Sequence, residues 1–158
     1  MVQPVRRGIS KSTPPLKKKP QSKGKRCHPK YGTSKLEDKF ATEFLDRIGV
    51  RYVRQYEAKD IKRFYDFFIL PDGPLIEVDG DYYHSYGLTR EEKNPMQKKN
   101  ERVDRLKDEW ALSHCIPIVR FWEHDINNNP QKVLSELKEA VGKRAKQIEI
   151  EEEKKKRH

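Results

Sequence analysis

The stretch that decides the fold is FYDFFILPDGPLIEVDG, residues 64–80, in which two runs of β-forming residues flank the turn segment PDGP. Such turn residues between apolar runs predict two successive antiparallel strands. Asp66 lies within the first run, and Glu77 and Asp79 lie in the second. An ionised carboxylate among aromatic side chains is costly unless it is paired or binds a cation. The strand pair therefore carries a candidate site as well as the centre of a sheet.

The segments before this pair have equally clear patterns. TSKLEDKFATEFLDRIG, residues 33–49, places apolar side chains on one helical stripe and ends at a glycine, which predicts a helix. VRYVRQYEA, residues 50–58, is rich in β-branched and aromatic residues and predicts a strand. The chain thus enters the strand pair from a helix and a further strand.

Three more elements follow the pair. A helix is predicted from about Pro95 to His114, with Val103, Leu106 and Trp110 facing inward. IPIVRFW, residues 116–122, predicts a strand parallel to a neighbour, because a helix connects it back to the sheet. A final helix begins near Pro130, and the purely charged residues beyond Ile150 are expected to fray. The order predicts an α/β domain with a mixed central β-sheet flanked by helices.

The positive charge of the chain lies at its N-terminus. Residues 1–31 hold ten Lys or Arg and no acid, so the other residues contain 25 basic and 25 acidic side chains, and the formal net charge is +10. Five prolines and no apolar periodicity predict that residues 1–31 are disordered when free. A basic arm of this type is typical of nucleic-acid binding, and a solubilising tail or a localisation signal is the alternative. The arm residues expected to contact DNA are Arg6, Arg7, Lys17, Lys18, Lys19, Lys25 and Arg26.

The remaining composition limits the compartment and the organisation of the chain. No secretory or long apolar segment is present, so we expect a cytoplasmic protein without a membrane partner. We divide the chain into the basic arm, residues 1–31, a single domain, residues 32–147, and a charged tail, residues 148–158.

The acids of the strand pair suggest a divalent cation. Asp66 and Glu77 can approach each other across a hairpin, and two close carboxylates repel unless a cation lies between them. Oxygen ligands favour Mg²⁺, which binds through one or two carboxylates plus a substrate phosphate and can activate water against a phosphodiester. The alternative is that Glu77, Asp79 and Asp81 are solvated residues at a strand end.

Two longer segments together resemble a known nuclease family. YDFFILPDGPLIEVDGDYYH, residues 65–84, followed by NERVDRLKDEWALSHCIPIVRFWEHDI, residues 100–126, is similar to the very short patch repair (Vsr) endonucleases of the PD-(D/E)xK superfamily. Within that superfamily the chain most resembles the phage homing endonucleases whose site reads Glu, Asp, any residue, His, Asp. The resemblance covers roughly residues 33–126. It implies a restriction-endonuclease-like core and a site-selective DNA endonuclease that uses Mg²⁺, or Mn²⁺ in its place, on double-stranded DNA.

The resemblance also implies a set of site residues. Glu37 corresponds to a helical glutamate that reaches the metal through water, and His84 to the histidine that activates or orders the attacking water. The implied catalytic residues are Glu37, Asp66, His84 and Asp104, and the implied metal ligands are Asp66, the backbone carbonyl of Val78 and Glu77, with possible support from Asn100 and Asp79. Without the resemblance, Glu37 fits a capping box with Ser34 and Asp104 fits a surface charge on a helix.

The chain departs from the family pattern in two places. Superfamily nucleases commonly carry lysine two residues after the glutamate, where this chain has Asp79, so part of the role of that lysine falls to His84. The segment SYGLTREEKNPM, residues 85–96, lacks the Cys and His of the zinc cluster in the repair enzymes, so no zinc is expected. Tyr82 and Tyr83 correspond to aromatic residues that wedge between bases; packing at the sheet edge is the alternative.

Several functions stay open on the sequence. A homing-type endonuclease is the first, a repair or restriction nuclease of the same fold is the second, and a DNA-binding relative without activity is the third. Whether one strand or both are cut is also open, and a homodimer on DNA is one route to a double-strand break.

Overall fold

The computed structural model describes residues 34–158, and the predicted DNA-binding arm, residues 1–31, lies outside the described residues. The first helix begins at a cap in which Ser34 Oγ accepts the N–H of Glu37 at 3.1 Å. The elements in chain order are α1 (Lys35–Phe40), a π-helical segment (Ala41–Leu45), α2 (Asp46–Ile48), β1 (Tyr52–Ala58), β2 (Arg63–Ile69), β3 (Leu75–Asp79), α3 (Pro95–Ser113), β4 (Ile118–Trp122), α4 (Glu123–Asn128) and α5 (Pro130–Lys156).

The four strands form one mixed sheet in the order β1-β2-β3-β4. β1 pairs antiparallel with β2, and β2 pairs antiparallel with β3. β3 and β4 are parallel, with Glu77 opposite Arg120, because α3 carries the chain back across the sheet between them. The predicted mixed α/β architecture is therefore confirmed.

One hydrophobic core lies between the sheet and the helices formed by the first and last segments. Phe40 is its centre: its ring lies 5.2 Å from Phe44 and from Phe121, and 5.7 Å from Phe67. Val133, Leu134 and Leu137 of α5 join the same cluster. Phe40 and Phe44 belong to the apolar stripe predicted for the first helix, and Val133, Leu134 and Leu137 form the apolar side of α5, so burying these residues fixes both helices on the sheet.

A second core lies under α3. Trp110 and Ala111 pack there with Phe68 and Leu75 of the sheet, and Trp110 Nε1 donates to Asp60 Oδ1 at 2.7 Å. The prediction that Leu106 faces inward was wrong, because Leu106 is an exposed side chain.

The inward position on α3 belongs instead to Lys107, which is 7% exposed. Lys107 lies four residues after Val103 and three before Trp110, so it shares their helical stripe. A buried charge needs partners, and those of Lys107 are in the candidate site.

β1 changes faces in its middle. Side chains two or four apart on a strand share a face, yet Tyr52 packs edge-on against Phe67 at 5.6 Å in the first core, whereas Tyr56 stacks on Phe68 at 4.6 Å in the second. Gln55 lies between them with φ +52°, a left-handed conformation that non-glycine residues rarely adopt. The strand alternation therefore breaks at Gln55.

α5 continues through the charged C-terminal residues as far as Lys156. The prediction that the chain frays beyond Ile150 was wrong, and the charged tail, residues 148–158, is helical for most of its length. Acids at 151–153 lie four residues before Lys155, Lys156 and Arg157, a spacing that stabilises helices, and Lys154, Lys155 and Lys156 lie at the negative end of the helix dipole. No helix among the described residues is long and apolar enough to cross a membrane.

Candidate active site

The end of the β2–β3 ladder places Asp66 against the backbone of β3. The paired positions of these strands are Phe67–Ile76 and Phe68–Leu75. One residue further, Asp66 Oδ2 accepts the N–H of Val78 at 2.8 Å. Because the N–H and C=O of one strand residue point to the same side, we expect the Val78 carbonyl to face Asp66 as well. This geometry would bring a carboxylate and a backbone carbonyl to the same side of β3 at this end of the ladder.

Glu77 is buried next to Asp66 and forms an ion pair with Lys107. Glu77 is 4% exposed, and its Oε1 contacts Lys107 Nζ. Burial, together with the charge of Asp66, raises the pKa of Glu77 well above its ordinary value, and Lys107 acts in the opposite direction. A raised pKa means that the surroundings oppose the negative charge of Glu77. Further positive charge near Glu77 would therefore stabilise its ionised form.

Lys107 is held in place by Tyr65. Its ammonium lies 4.9 Å from the centroid of the Tyr65 ring, and the Tyr65 hydroxyl donates to the Lys107 carbonyl at 2.6 Å. A cation over an aromatic face is favourable when water is excluded. α3 therefore supplies a fixed buried cation beneath the acids of the strand pair.

His84 lies between two carboxylates. Its Nδ1 is 2.7 Å from Asp104 Oδ2, and its Nε2 is 3.8 Å from Asp79 Oδ1. Burial works against the charge of Asp104, but its contact with His84 and the charges of His84 and Arg120 outweigh burial and lower the pKa of Asp104. An ionised carboxylate only accepts hydrogen bonds, so Nδ1 carries the hydrogen and donates it to Asp104.

Asp79 completes this group from β3. It is 2% exposed, and burial raises its pKa despite the opposing charges of His84 and Arg120. The separation of 3.8 Å between Asp79 Oδ1 and His84 Nε2 is longer than a hydrogen bond. Asp79 therefore forms no hydrogen bond with Nε2, and this ring nitrogen stays open to another partner.

Arg120 on β4 joins the acids of β3 and α3. Its Nη2 donates to Asp108 Oδ1 at 2.7 Å, and its Nη1 lies 3.4 Å from Asp79 Oδ2 and 3.6 Å from Asp104 Oδ1. Burial opposes the charge of Arg120, but the surrounding acids, Asp79 first, hold the pKa of Arg120 above its ordinary value. The guanidinium is therefore a permanent cation in the acidic cluster.

Glu37 is connected to the site through Gln55. Glu37 is buried on α1, and its Oε2 accepts from Gln55 Nε2 at 2.9 Å. In the β1–β2 register, Gln55 and Asp66 lie between the paired positions Arg54–Phe67 and Tyr56–Tyr65. Gln55 thus binds the Glu37 carboxylate of α1 and lies across from Asp66 in the β1–β2 register.

The loop after β3 presents aromatic side chains beside the site. Tyr82 is 63% exposed and Tyr83 is 53% exposed. Their backbones are fixed from α3, since Gln97 Nε2 donates to the Tyr82 carbonyl at 2.6 Å and Asn100 Nδ2 donates to the Tyr83 carbonyl at 2.9 Å. The predicted support residue Asn100 therefore anchors this loop.

The structure brings most of the predicted site residues together. They form two groups that meet on β3: Asp66 contacts the backbone of Val78, and the next residue, Asp79, lies 3.8 Å from His84, which contacts Asp104. Lys107, Arg120 and Gln55 also belong to this group of side chains and were not predicted. Lys107 was detectable as a charge within an apolar helical stripe, whereas nothing in the local sequence of Arg120 or Gln55 identifies their partners.

The oxygen donors of this site fit a magnesium ion in part. Among residues 34–158, no three His, Cys, Asp or Glu side chains are grouped so that they could hold a metal by themselves. Mg²⁺ needs fewer protein ligands, because it keeps waters and takes substrate phosphate. Asp66 and the Val78 carbonyl suit this pattern, whereas the ion pair with Lys107 restricts Glu77 to a supporting position.

Comparisons with models of protein families, with curated proteins and with solved structures found no match for this chain.

Proposed function

We propose that this chain is a Mg²⁺-dependent DNA endonuclease with a restriction-endonuclease-like core, of the homing type that it resembles. The observation that carries the proposal is the histidine–carboxylate pair His84–Asp104, which faces Asp79 on β3, one residue after the Val78 whose N–H is bound by Asp66. A buried charge network that served stability alone would not need a histidine whose Nε2 forms no hydrogen bond with Asp79. The loop that carries this histidine after β3 also exposes Tyr82 and Tyr83.

The protein groups divide the work of phosphodiester hydrolysis. Asp66 and the Val78 carbonyl would hold the metal, which when bound supplies a polarised phosphate and a more acidic water. His84 Nε2 accepts a proton from the attacking water, and Asp104 holds the imidazole by its Nδ1–H and stabilises the imidazolium that forms. Histidine suits this step because it exchanges protons readily near neutral pH.

Lys107 and Glu77 form the base of the site. The buried ion pair fixes Glu77 beside Asp66 and supplies a positive charge next to these two acids. Lys107 is too buried to touch DNA, so its effect on the reaction is through the acids above it. Asp79, at the position of the strand lysine, faces His84 and Arg120 instead.

Two features of the chain suit a DNA substrate. The basic arm, residues 1–31, supplies ten positive charges that can neutralise phosphates, which predicts salt-dependent affinity. Tyr82 and Tyr83 are exposed next to the acidic cluster and can reach between bases of a deformed duplex. The arm would supply affinity for DNA, and the nuclease domain would determine where the DNA is cut.

The test compares two Asp→Asn variants of the full chain on supercoiled plasmid and on fragmented phage and bacterial genomic DNA. Asp66→Asn removes the ionised ligand but keeps an oxygen that can accept from Val78, so the strand geometry survives. Asp72→Asn makes the same change on the exposed β2–β3 turn and is the matched control. Each protein is assayed with Mg²⁺, with Mn²⁺ and with a chelator.

The proposal predicts metal-dependent cutting at a few discrete sites by the wild type and by Asp72→Asn, and loss of cutting in Asp66→Asn. Cutting of a mismatched synthetic duplex, assayed alongside, without cutting of plasmid or genomic DNA would favour a repair enzyme. Salt-sensitive DNA binding without cleavage by any form would contradict the enzyme and leave a binding protein.

A further inference from the structure

Arg120 of β4 contacts acidic residues on both β3 and α3, and packing within the sheet does not require these contacts. It lies opposite Glu77 in the parallel register of β3 and β4. Its Nη2 donates to Asp108 Oδ1 at 2.7 Å and to the backbone carbonyl of Asp104 at 3.3 Å. Asp104 and Asp108 are one helical turn apart, so these two contacts fix a single turn of α3 on β4.

The other branch of the guanidinium reaches the acids that flank His84. Arg120 Nη1 lies 3.4 Å from Asp79 Oδ2 and 3.6 Å from Asp104 Oδ1. Asp104 gives its second oxygen to His84 Nδ1 at 2.7 Å, and the second oxygen of Asp79 is 3.8 Å from His84 Nε2. The same side chain thus contacts both carboxylates that face the imidazole: Asp104 through the oxygen turned away from His84, and Asp79 through both oxygens, because Nη1 is also 3.5 Å from Asp79 Oδ1.

We propose that Arg120 is a positioning residue for His84, acting through Asp104 and Asp79; this inference rests on the proposed function. Its planar fork holds Asp104 in the orientation that receives the Nδ1 hydrogen. It also draws Asp79 toward β4 and keeps that carboxylate from bonding Nε2. Asp104 therefore orients the imidazole through Nδ1, and Nε2 stays available for the proposed proton transfer.

Lysine cannot reproduce this arrangement. An ammonium has the charge of a guanidinium but no rigid fork, so it cannot hold acids on two elements in one plane. Arg120→Lys therefore preserves net charge and changes geometry. Arg105→Lys is the matched control, because Arg105 is an exposed residue of α3 with a 3.9 Å contact to Glu101.

The experiment measures cleavage kinetics and the imidazole N–H signal of His84. The Nδ1 proton is observed in ¹H–¹⁵N spectra of the full chain without DNA or metal, and is assigned by its absence in His84→Gln. We expect Arg120→Lys to lower kcat on the order of 10²-fold with little change in KM, as for a small misplacement of a reacting group. We also expect its Nδ1 proton signal to broaden through exchange with water, while Arg105→Lys behaves as the wild type in both measurements.

An unchanged Nδ1 proton signal together with an unchanged kcat in folded Arg120→Lys would overturn the positioning role. If Arg120→Lys does not fold, Asp108→Asn replaces it, because that change removes the 2.7 Å anchor of Arg120 and leaves the His84–Asp104 pair in place. A broadened His84 signal in Asp108→Asn supports the role, and an unchanged signal overturns it. A wild type that cuts no DNA, with the signal of His84 still dependent on Arg120, would contradict the nuclease while supporting the positioning role.

Discussion

His84 and Asp104 meet through a 2.7 Å contact between Nδ1 and Oδ2, although one lies in the loop after β3 and the other in the middle of α3. The loop is held on that helix by Gln97 and Asn100, which donate to its backbone carbonyls. The pair is therefore a product of how α3 lies across the sheet. Any change that moves α3 relative to β3 should disturb the pair before it unfolds the domain.

Removing the buried lysine should destabilise the protein strongly. Lys107→Met leaves the buried Glu77 beside Asp66 without its cation, and breaking a buried ion pair costs about 3–5 kcal/mol. The free energy of unfolding, measured with urea, should fall by this amount. Lys107→Met combined with Glu77→Gln should recover much of the loss, because the uncompensated charge is gone.

The control for this prediction is Lys143→Met on α5. Lys143 contacts Glu139 at 2.7 Å with both side chains exposed, and exposed pairs contribute about 0–1 kcal/mol. Equal losses of stability in Lys143→Met and Lys107→Met would contradict the buried ion pair.

The pKa of Asp104 predicts how stability changes in acid. A carboxyl group whose pKa is lower in the folded state adds stability above its unfolded pKa, and this contribution disappears as the pH falls through the folded value. Asp104 has such a lowered pKa. Between about pH 5 and pH 2 the wild type should therefore lose more unfolding free energy than Asp104→Asn.

Glu109→Gln, which removes one exposed acid from the same helix, controls for the change in net charge. Urea titrations at several pH values measure the difference. Parallel stability curves for wild type and Asp104→Asn would show that Asp104 is not held ionised in the folded protein.

The backbone at Gln55 predicts an unusual order of stabilities. Gln55→Gly and Gln55→Ala both remove the hydrogen bond to Glu37, so their difference reports the left-handed φ of +52°. In that conformation alanine is destabilised by about 1–2 kcal/mol and glycine is not, so Gln55→Gly should be the more stable by about 1 kcal/mol once its larger chain entropy is included.

At Glu57, two residues further along β1, glycine should instead be less stable than alanine. Thermal unfolding of the four variants checks both orders. Alanine more stable than glycine at both positions would contradict the break in alternation at Gln55.

The exposed tyrosines should act on DNA and leave the fold unchanged. Tyr82→Ala and Tyr83→Ala remove side chains that are largely in solvent, so the free energy of unfolding should change by no more than about 0.5 kcal/mol. Both variants should bend DNA less than the wild type, as measured by energy transfer between dyes at the duplex ends. Leu112→Ala, which removes another exposed apolar side chain, should bend DNA normally; equal bending by all four proteins would contradict the wedge.

The strands, the helices and the mixed sheet could be predicted because apolar periodicity and turn residues are local signals. The strand pair around PDGP and the parallel β4 were confirmed on that basis. Leu106 and Lys107 show where local reading fails: both are compatible with the inward stripe of α3, and the choice between them depends on Glu77 and Tyr65 across the sheet. Contacts with residues that are distant in sequence therefore determine which of these two side chains faces inward.

The candidate site likewise contains residues that could be predicted from the sequence and residues that could not. Asp66 could be named from its place among aromatic residues, whereas His84 and Asp104 could be named only through the family resemblance; the structure shows which atoms these residues contact. Arg120 and Gln55 could not be named, because an arginine in a strand has many possible partners and a left-handed glutamine has no sequence signature. Both act by holding other side chains, which is information that spacing along the chain does not contain.

Single-turnover cleavage of plasmid DNA by His84→Gly, with and without added imidazole, tests proton transfer by His84. We expect that His84→Gly loses cleavage, that imidazole restores part of it in proportion to its concentration, and that imidazole does nothing for Asp66→Asn. Cleavage by His84→Gly at the wild-type rate would show that His84 moves no proton in the reaction, and would contradict the catalytic role of this residue.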